Sequence, residues 1–238
     1  MSEAATAIIV AVAREARPLI RRFGLARAND TATDSRTWIG RHDGRALRLI
    51  ATGMGPTNAR QTVLALLAHH SCDRVIVAGL CGALDPALQV GDLVPPDEVL
   101  DAATGRTHRR PIPHRHGGRL VSVARVIASP AEKAGLFARH AAAAVDMETA
   151  AIAAVCESHE VPWLCLRAVS DTADQALPDG IERLIDDHGR LRPWPAVRQL
   201  ARAPGTIPAL AHLARGTARA AEALAAALPP LLADLQAH

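Results

Sequence analysis

Three acidic residues stand where an α/β chain gathers its chemistry: Glu15, Glu148 and Asp171. Carboxylates of this kind can pass protons or steady a developing positive charge. Asp171 follows Ser170 at the end of the apolar run 163–169, WLCLRAV. Such a run reads as a short strand in a sheet covered on both faces. Ligands of open α/β sheets sit at the carboxyl ends of strands. The competing reading is that Asp171 caps the next helix, since Ser, Asp and Thr all serve as N-caps. Glu148 opens the Ala-rich run 149–156, which is apolar almost all round and reads as a buried helix. A carboxylate there needs a partner or a ligand, because burying it unpaired is costly. Asp146, two residues earlier, is expected to cap or pair locally. Glu15 follows AIIVAVA (7–13), the first-strand candidate, and precedes a helix expected to start around Pro18. It thus sits at the end of strand one; the alternative is a solvated first-turn Glu favoured by the helix dipole.

The elements that must position these acids are legible in part. Residues 37–39 and 46–51 flank the turn His42-Asp-Gly-Arg45, which predicts a hairpin. The stretch Thr52-Gly-Met-Gly-Pro-Thr-Asn58 then opens a helix through His69. A Gly-rich turn before a helix offers free N–H groups to a phosphate, a carboxylate or a ribose hydroxyl, or is merely tight. RVIVAG (74–79) is another buried strand, and GLCGALDPALQVGDLV runs on from Gly79. Residues 120–128 (LVSVARVIA) read as a strand, and a helix from Ser129-Pro130 runs towards His140.

The chain has 238 residues, enough for one large α/β domain, and no linker divides it. Aromatics make up 2% with no Tyr, so Ala and Leu must build most of the core. A net charge of +3 with dispersed Arg and few aromatics does not specify nucleic acid. Cys72, Cys81, Cys156 and Cys165 form no Cys-x-x-Cys and read as reduced residues of a cytoplasmic protein. His108, His114 and His116 cluster in a basic loop without Cys or acidic ligands, so a solvated loop is expected rather than a metal site. No apolar run reaches a membrane span, and residues 4–13 lack the basic start of a signal peptide.

VDMETAA (145–151) followed by RAVSD (167–171), with GMGPTNA (53–59) and the stretch from Gly79, resembles the purine nucleoside phosphorylase/nucleosidase superfamily. The motifs are similar to those of methylthioadenosine/S-adenosylhomocysteine nucleosidases. The resemblance implies a single domain, 1–238, with a three-layer α/β/α fold around a central twisted mixed sheet. It also implies N-glycosidic cleavage of a nucleoside without a metal or other cofactor. On it, Asp171, held by Ser170, would protonate the leaving purine, Glu148 would bind the ribose, and Glu15 would act as base on water. Met147 would pack on the sugar, Gly53, Gly79 and Gly82 would let backbone approach the ligand, and Ile127 would line the base pocket. Such an acid must stay protonated near neutral pH, so its pocket is expected to be dry or already negative. Phosphorylases of the superfamily grip phosphate with an Arg and a Ser where this chain has Val77 and Leu80. Water is therefore the expected acceptor, with inorganic phosphate the alternative co-substrate and Arg60 a substitute grip.

The end of the chain, ADQALP (173–178) through GRLRPWPAV (189–197) and beyond, resembles the hopanoid-associated phosphorylases instead. That likeness implies adenosylhopane as substrate and a helical tail over about 195–238. Residues 197–203 and 207–228 are helical by composition, with Pro229 and Pro230 expected to break a longer helix. Leu210, Leu213, Leu224 and Leu228 lie among Arg202, Arg215 and Arg219: either an amphipathic helix packed on the domain, or an apolar rim meeting a lipid-like substrate at a membrane surface. The resemblance also implies a homo-oligomer. Two rivals are a phosphorolytic enzyme on the same scaffold and a non-catalytic nucleoside- or lipid-binding module. A Rossmann dehydrogenase is disfavoured, as no GxGxxG follows strand one.

Overall fold

The structure, a computed structural model, describes residues 4–30, 35–111, 118–178 and 207–235. In chain order its elements are β1 (Ala5–Val10), α1 (Ala13–Phe23), β2 (Ala26–Ala28), β3 (Arg36–His42), β4 (Arg45–Ala51), α2 (Pro56–His69), β5 (Cys72–Ala83) and β6 (Leu93–Val94). There follow β7 (Glu98–Asp101), β8 (Thr107–Arg109), β9 (Arg119–Ser122), α3 (Pro130–His140), β10 (Ala144–Asp146), α4 (Thr149–Ser158), β11 (Trp163–Asp171) and α5 (Ile207–Asp234).

Among the described residues the strands form one mixed sheet, ordered β2-β3-β4-β1-β5-β10-β9-β7-β8, with β11 beside β5 and β6 beside β11. β1, β4, β5 and β11 run parallel, so their carboxyl ends lie at one edge. In register, Ile8 faces Ile76, which faces Leu164. Alternation of side chains divides the core into two layers. Ala7, Ile9, Val75, Val77 and Cys165 pack with Val63 and Leu66 of α2 and Ile152 and Val155 of α4. Ile8, Val10, Ile76, Leu164 and Leu166 pack with Leu19 of α1 and Leu224 and Leu228 of α5. Covered on both faces, these strands are apolar at successive positions rather than at every second one. This is the expected three-layer α/β/α architecture.

Several boundaries differ from the sequence reading. β1 ends at Val10, and α1 begins at Ala13 with Pro18 inside it. Glu15 therefore lies in the first turn of α1, yet it is buried rather than solvated. β9 stops at Ser122 instead of continuing to Ala128. Its neighbours β7 and β10 end level with it, at Asp101 and Asp146, so the ladder has no partner beyond. His108 belongs to β8, not to a solvated loop; it is 2% exposed, with Nδ1 2.9 Å from Glu157 Oε2. His114 and His116 lie outside the described residues, as does the helix expected over 197–203.

α5 runs through Pro229 and Pro230 to Asp234. Each proline removes a backbone donor. Leu231, Leu232 and Leu235 beyond them are buried in the α1-side core, and that packing outweighs the lost bonds. No helix among the described residues is long and apolar enough to cross a membrane.

Candidate active site

At the carboxyl ends of β1, β5 and β11 a cavity of about 420 Å3 opens. Its lining includes Glu15, Glu148 and Asp171, three acids far apart in sequence. Met147, Ser170, Gly82 and Ile127 also line it, with Val123 and Val126 beside Ile127. Gly53 and Gly79, expected at the ligand, are absent from the lining. Gly53 instead donates its N–H to the Ala11 carbonyl, at 2.8 Å. Gly79 makes room for an arginine: a Cβ there would collide with Nη1 of Arg167. Gly82 lines the cavity, and what its missing Cβ makes room for is the Asp171 carboxyl group, since a Cβ there would lie 3.1 Å from Asp171 Oδ2.

Glu15 is held by backbone. Its Oε2 accepts from the N–H groups of Ala11 (2.9 Å) and Val12 (3.2 Å), and its Oε1 from Leu80 (3.1 Å). Burial raises its pKa above the ordinary carboxylate value; the Arg167 charge and those N–H groups pull the other way. Glu148 Oε1 accepts from Gly55 N–H at 2.8 Å. Gly55 is the residue before α2, so the Gly-rich turn does bind an anion at a helix N-terminus, and that anion is the protein's own Glu148. Burial, and then repulsion from Asp146, push the Glu148 pKa up to about 7.

Arg167 sits in the middle of β11, fully buried. It donates to Thr149 Oγ1 from Nη2 (2.7 Å) and Nε (3.2 Å), and to Asp146 Oδ2; Glu148 Oε2 lies 3.9 Å away. Burial opposes its charge, but the surrounding carboxylates outweigh that and hold it cationic. Asp146 accepts from Thr149 N–H at 3.0 Å and from the Ser122 and Thr149 hydroxyls, so it caps α4 and pairs locally as expected.

Asp171 is arranged differently. Oδ1 accepts from Ser170 Oγ at 2.6 Å, and Oδ2 from Lys133 Nζ at 2.6 Å. Asp171 is buried, and the charge against it is positive rather than negative. Ser170 Oγ also lies 3.1 Å from the Cys81 carbonyl. Its single hydrogen can serve the Asp171 carboxylate or, when Oδ1 carries a proton, turn to that carbonyl.

The opposite wall is apolar. Leu177 and, from the first turns of α5, Leu210, Leu213, Ala214 and Thr217 face the cavity. α5 crosses β11 closely at Gly216, where a Cβ would meet the Ser170 carbonyl at 2.5 Å. The helix divides its work: residues 220–235 pack on the domain, as the first tail reading expects, and Leu210, Leu213, Ala214 and Thr217 wall the cavity.

Residues 5–117 and 100–192 match the Phosphorylase superfamily. The chain belongs to that superfamily. A 5′-methylthioadenosine/S-adenosylhomocysteine nucleosidase of Anoxybacillus flavithermus is 29% identical over 208 residues, spanning 74% of this chain and 90% of that protein. The nucleosidase of the same name from Helicobacter pylori, solved with butyl-thio-DADMe-Immucillin-A, superposes with a TM-score of 0.74 at 16% identity, covering 98% of this chain and all of that one. Futalosine hydrolase of Helicobacter pylori gives 0.73 at 16%, covering 97% and 98%. At these identities the superpositions establish the fold.

The positions at which the resemblance implies a phosphate grip in phosphorylases hold no cation facing the cavity. Val77 is buried in the core, Leu80 gives its N–H to Glu15, and Arg60 is exposed away from the cavity. Arg14 and Arg125 line the cavity instead. Two buried cations escaped the sequence reading. Arg167 could have been noticed, as a charge inside an apolar strand demands partners. Lys133, in SPAEKAGL, looks like any lysine near a helix start.

Proposed function

We propose that this superfamily member hydrolyses the N-glycosidic bond of a 5′-substituted adenine nucleoside. The observation that carries the reading is that Glu15, Glu148 and Asp171 line one cavity of about 420 Å3. That size falls in the range of small-molecule sites. The chain is an enzyme of the nucleosidase kind, as its curated relatives are.

Cleavage passes through an oxocarbenium-like ribosyl cation. The C1′–N9 bond breaks with its electron pair going to the purine, and Asp171 gives a proton to N7, so adenine departs neutral. The Ser170 hydroxyl then turns to the Asp171 carboxylate that forms. Glu148 accepts from the ribose hydroxyls and steadies the cation. Water adds to C1′, and Glu15 takes its proton. Proton exchange with solvent resets both acids. Four buried carboxylates (Glu15, Asp146, Glu148, Asp171) stand against two buried cations (Arg167, Lys133), with Arg14 and Arg125 also on the cavity wall, and the carboxylates nearest the sugar suit a cation in transit better than a phosphate dianion. That balance favours water as acceptor over phosphate.

The apolar wall from Leu210 and Leu213 suits a bulky, greasy 5′ substituent. Together with the likeness of the tail, this favours adenosylhopane, giving ribosylhopane and adenine, with α5 working close to a membrane surface. A second reading, methylthioadenosine or S-adenosylhomocysteine as substrate, is favoured by the names of the curated relatives. A panel of adenosylhopane, methylthioadenosine, S-adenosylhomocysteine and inosine, assayed with and without phosphate for free base, separates these. Phosphate-independent adenine release is expected, fastest from adenosylhopane. Release that requires phosphate makes the enzyme a phosphorylase, and retention of nucleoside without any free base makes it a binding module.

A further inference from the structure

Lys133 is the buried cation that no step above uses. It lies one turn into α3, and its side chain is fully excluded from solvent. An ammonium has three hydrogens, and Nζ finds three acceptors: Asp171 Oδ2 and the Thr172 carbonyl, both at 2.6 Å, and the Gln175 carbonyl at 3.1 Å. Two of these partners are main-chain carbonyls of the turn that follows β11. That turn leads to Leu177, which faces the cavity and whose N–H bonds to the Ala128 carbonyl, next to Ile127. One side chain thus ties the carboxyl group at the end of β11 to the wall where the base would lie.

α3 itself is fixed at this end. Ser129 and Glu132 form a reciprocal cap, with Ser129 Oγ accepting from Glu132 N–H at 3.2 Å and Glu132 Oε2 accepting from Ser129 N–H at 3.3 Å. Lys133 Nζ is therefore delivered from a stiff helix start rather than from a swinging surface residue.

We infer that Lys133 is the positioning residue of the acid: it pins Oδ2 of Asp171 and leaves Oδ1 beside Ser170 as the oxygen that serves the leaving base. The inference rests on the nucleoside-cleaving reading of the site. The other titratable groups around the pair are Cys81 on β5 and Asp174 in the turn after β11. Neither hydrogen-bonds to Asp171, so Lys133 is the group whose removal changes its charge environment most.

The test is adenine release from 5′-methylthioadenosine, or from adenosylhopane in detergent micelles if the panel ranks it higher, at pH 5 to 10. The proteins compared are wild type, Lys133→Gln, Lys133→Met and Lys133→Arg. Gln keeps donors for the carbonyls and Arg keeps the charge. The neutral variants are expected to lose kcat about tenfold or more while KM stays within about threefold, because substrate still binds but its acid is misplaced. Lys133→Arg, which keeps the charge, should recover most of kcat. If Met fails to fold, Gln carries the comparison. A wild-type kcat in Lys133→Gln, or kcat and KM lost together in step with melting temperature, makes Lys133 a structural residue and overturns the inference. A wild-type protein that frees no adenine from either substrate overturns the reading of the reaction instead.

Discussion

At one end of the cavity Glu15, Glu148 and Asp146 share a single guanidinium, that of Arg167; at the other, Asp171 has the Lys133 ammonium to itself. Both ends are buried, so the charge ratio decides how each behaves. Burial raises the pKa values of both Glu148 and Glu15, and at Glu148 repulsion from Asp146 adds to it, so one guanidinium does not offset what the crowded end loses in hydration. A site left short of positive charge welcomes a ligand that turns cationic. The paired end is compensated one to one and can pass a proton without leaving a bare charge behind. On the proposed reaction the sugar belongs at the first end and the base at the second.

Removing the acid of the paired end should have the largest effect. General acid catalysis is worth about 10²–10⁴ in rate. Asp171→Asn should therefore lower kcat by at least ~10² while KM changes little. Asn still accepts from Lys133 but takes the counter-charge from a buried ammonium, so a lower melting temperature is expected too, and kcat is compared at a temperature where both proteins are folded. Turnover within threefold of wild type would remove Asp171 from the mechanism.

At the crowded end the corresponding break is in stability. Arg167→Met leaves Asp146, Glu148 and Glu15 buried with no cation among them. Stripping one partner from a buried ion pair costs about 3–5 kcal/mol. Urea unfolding at pH 8 should show a loss of that order with an unchanged slope. The loss should shrink at pH 5, where Glu148 is mostly protonated. A midpoint at pH 8 equal to wild type would mean that the acids do not depend on Arg167.

The two ends were unequally legible in the sequence. Glu15, Glu148 and Asp171 stood out because each follows or opens a strongly apolar run, and the parallel strands then bring their ends together. The cations did not stand out. Arg167 lies inside such a run, and its need for space explains Gly79, which sequence reasoning had assigned to the ligand. Lys133 is invisible without the third dimension: whether a lysine on a helix is solvated depends on what the helix packs against, and α3 packs against a turn 40 residues away. Composition foretold the helix at the end of the chain, but not that it would run through Pro229 and Pro230, because the burial that holds it there is a property of the assembled core.

The smallest effect expected is also the most specific to the crowded end. Glu148 has a folded-state pKa of about 7, above the ordinary 4.5. A carboxyl raised in this way favours folding in its protonated form. Its contribution is complete below about pH 4.5 and is lost as the pH climbs through 7. Glu148→Gln keeps an acceptor for Gly55 N–H and has nothing to ionise. The mutant should therefore gain on wild type as the pH rises, by on the order of 2 kcal/mol between pH 5 and pH 8. Urea midpoints of the two proteins at these pH values give that difference directly. Had a cation sat directly against Glu148, the sign would be opposite, because the ionised form would then be the one that folding favours. Parallel midpoints at both pH values would mean that Arg167 compensates Glu148 fully, and the contrast between the two ends would disappear.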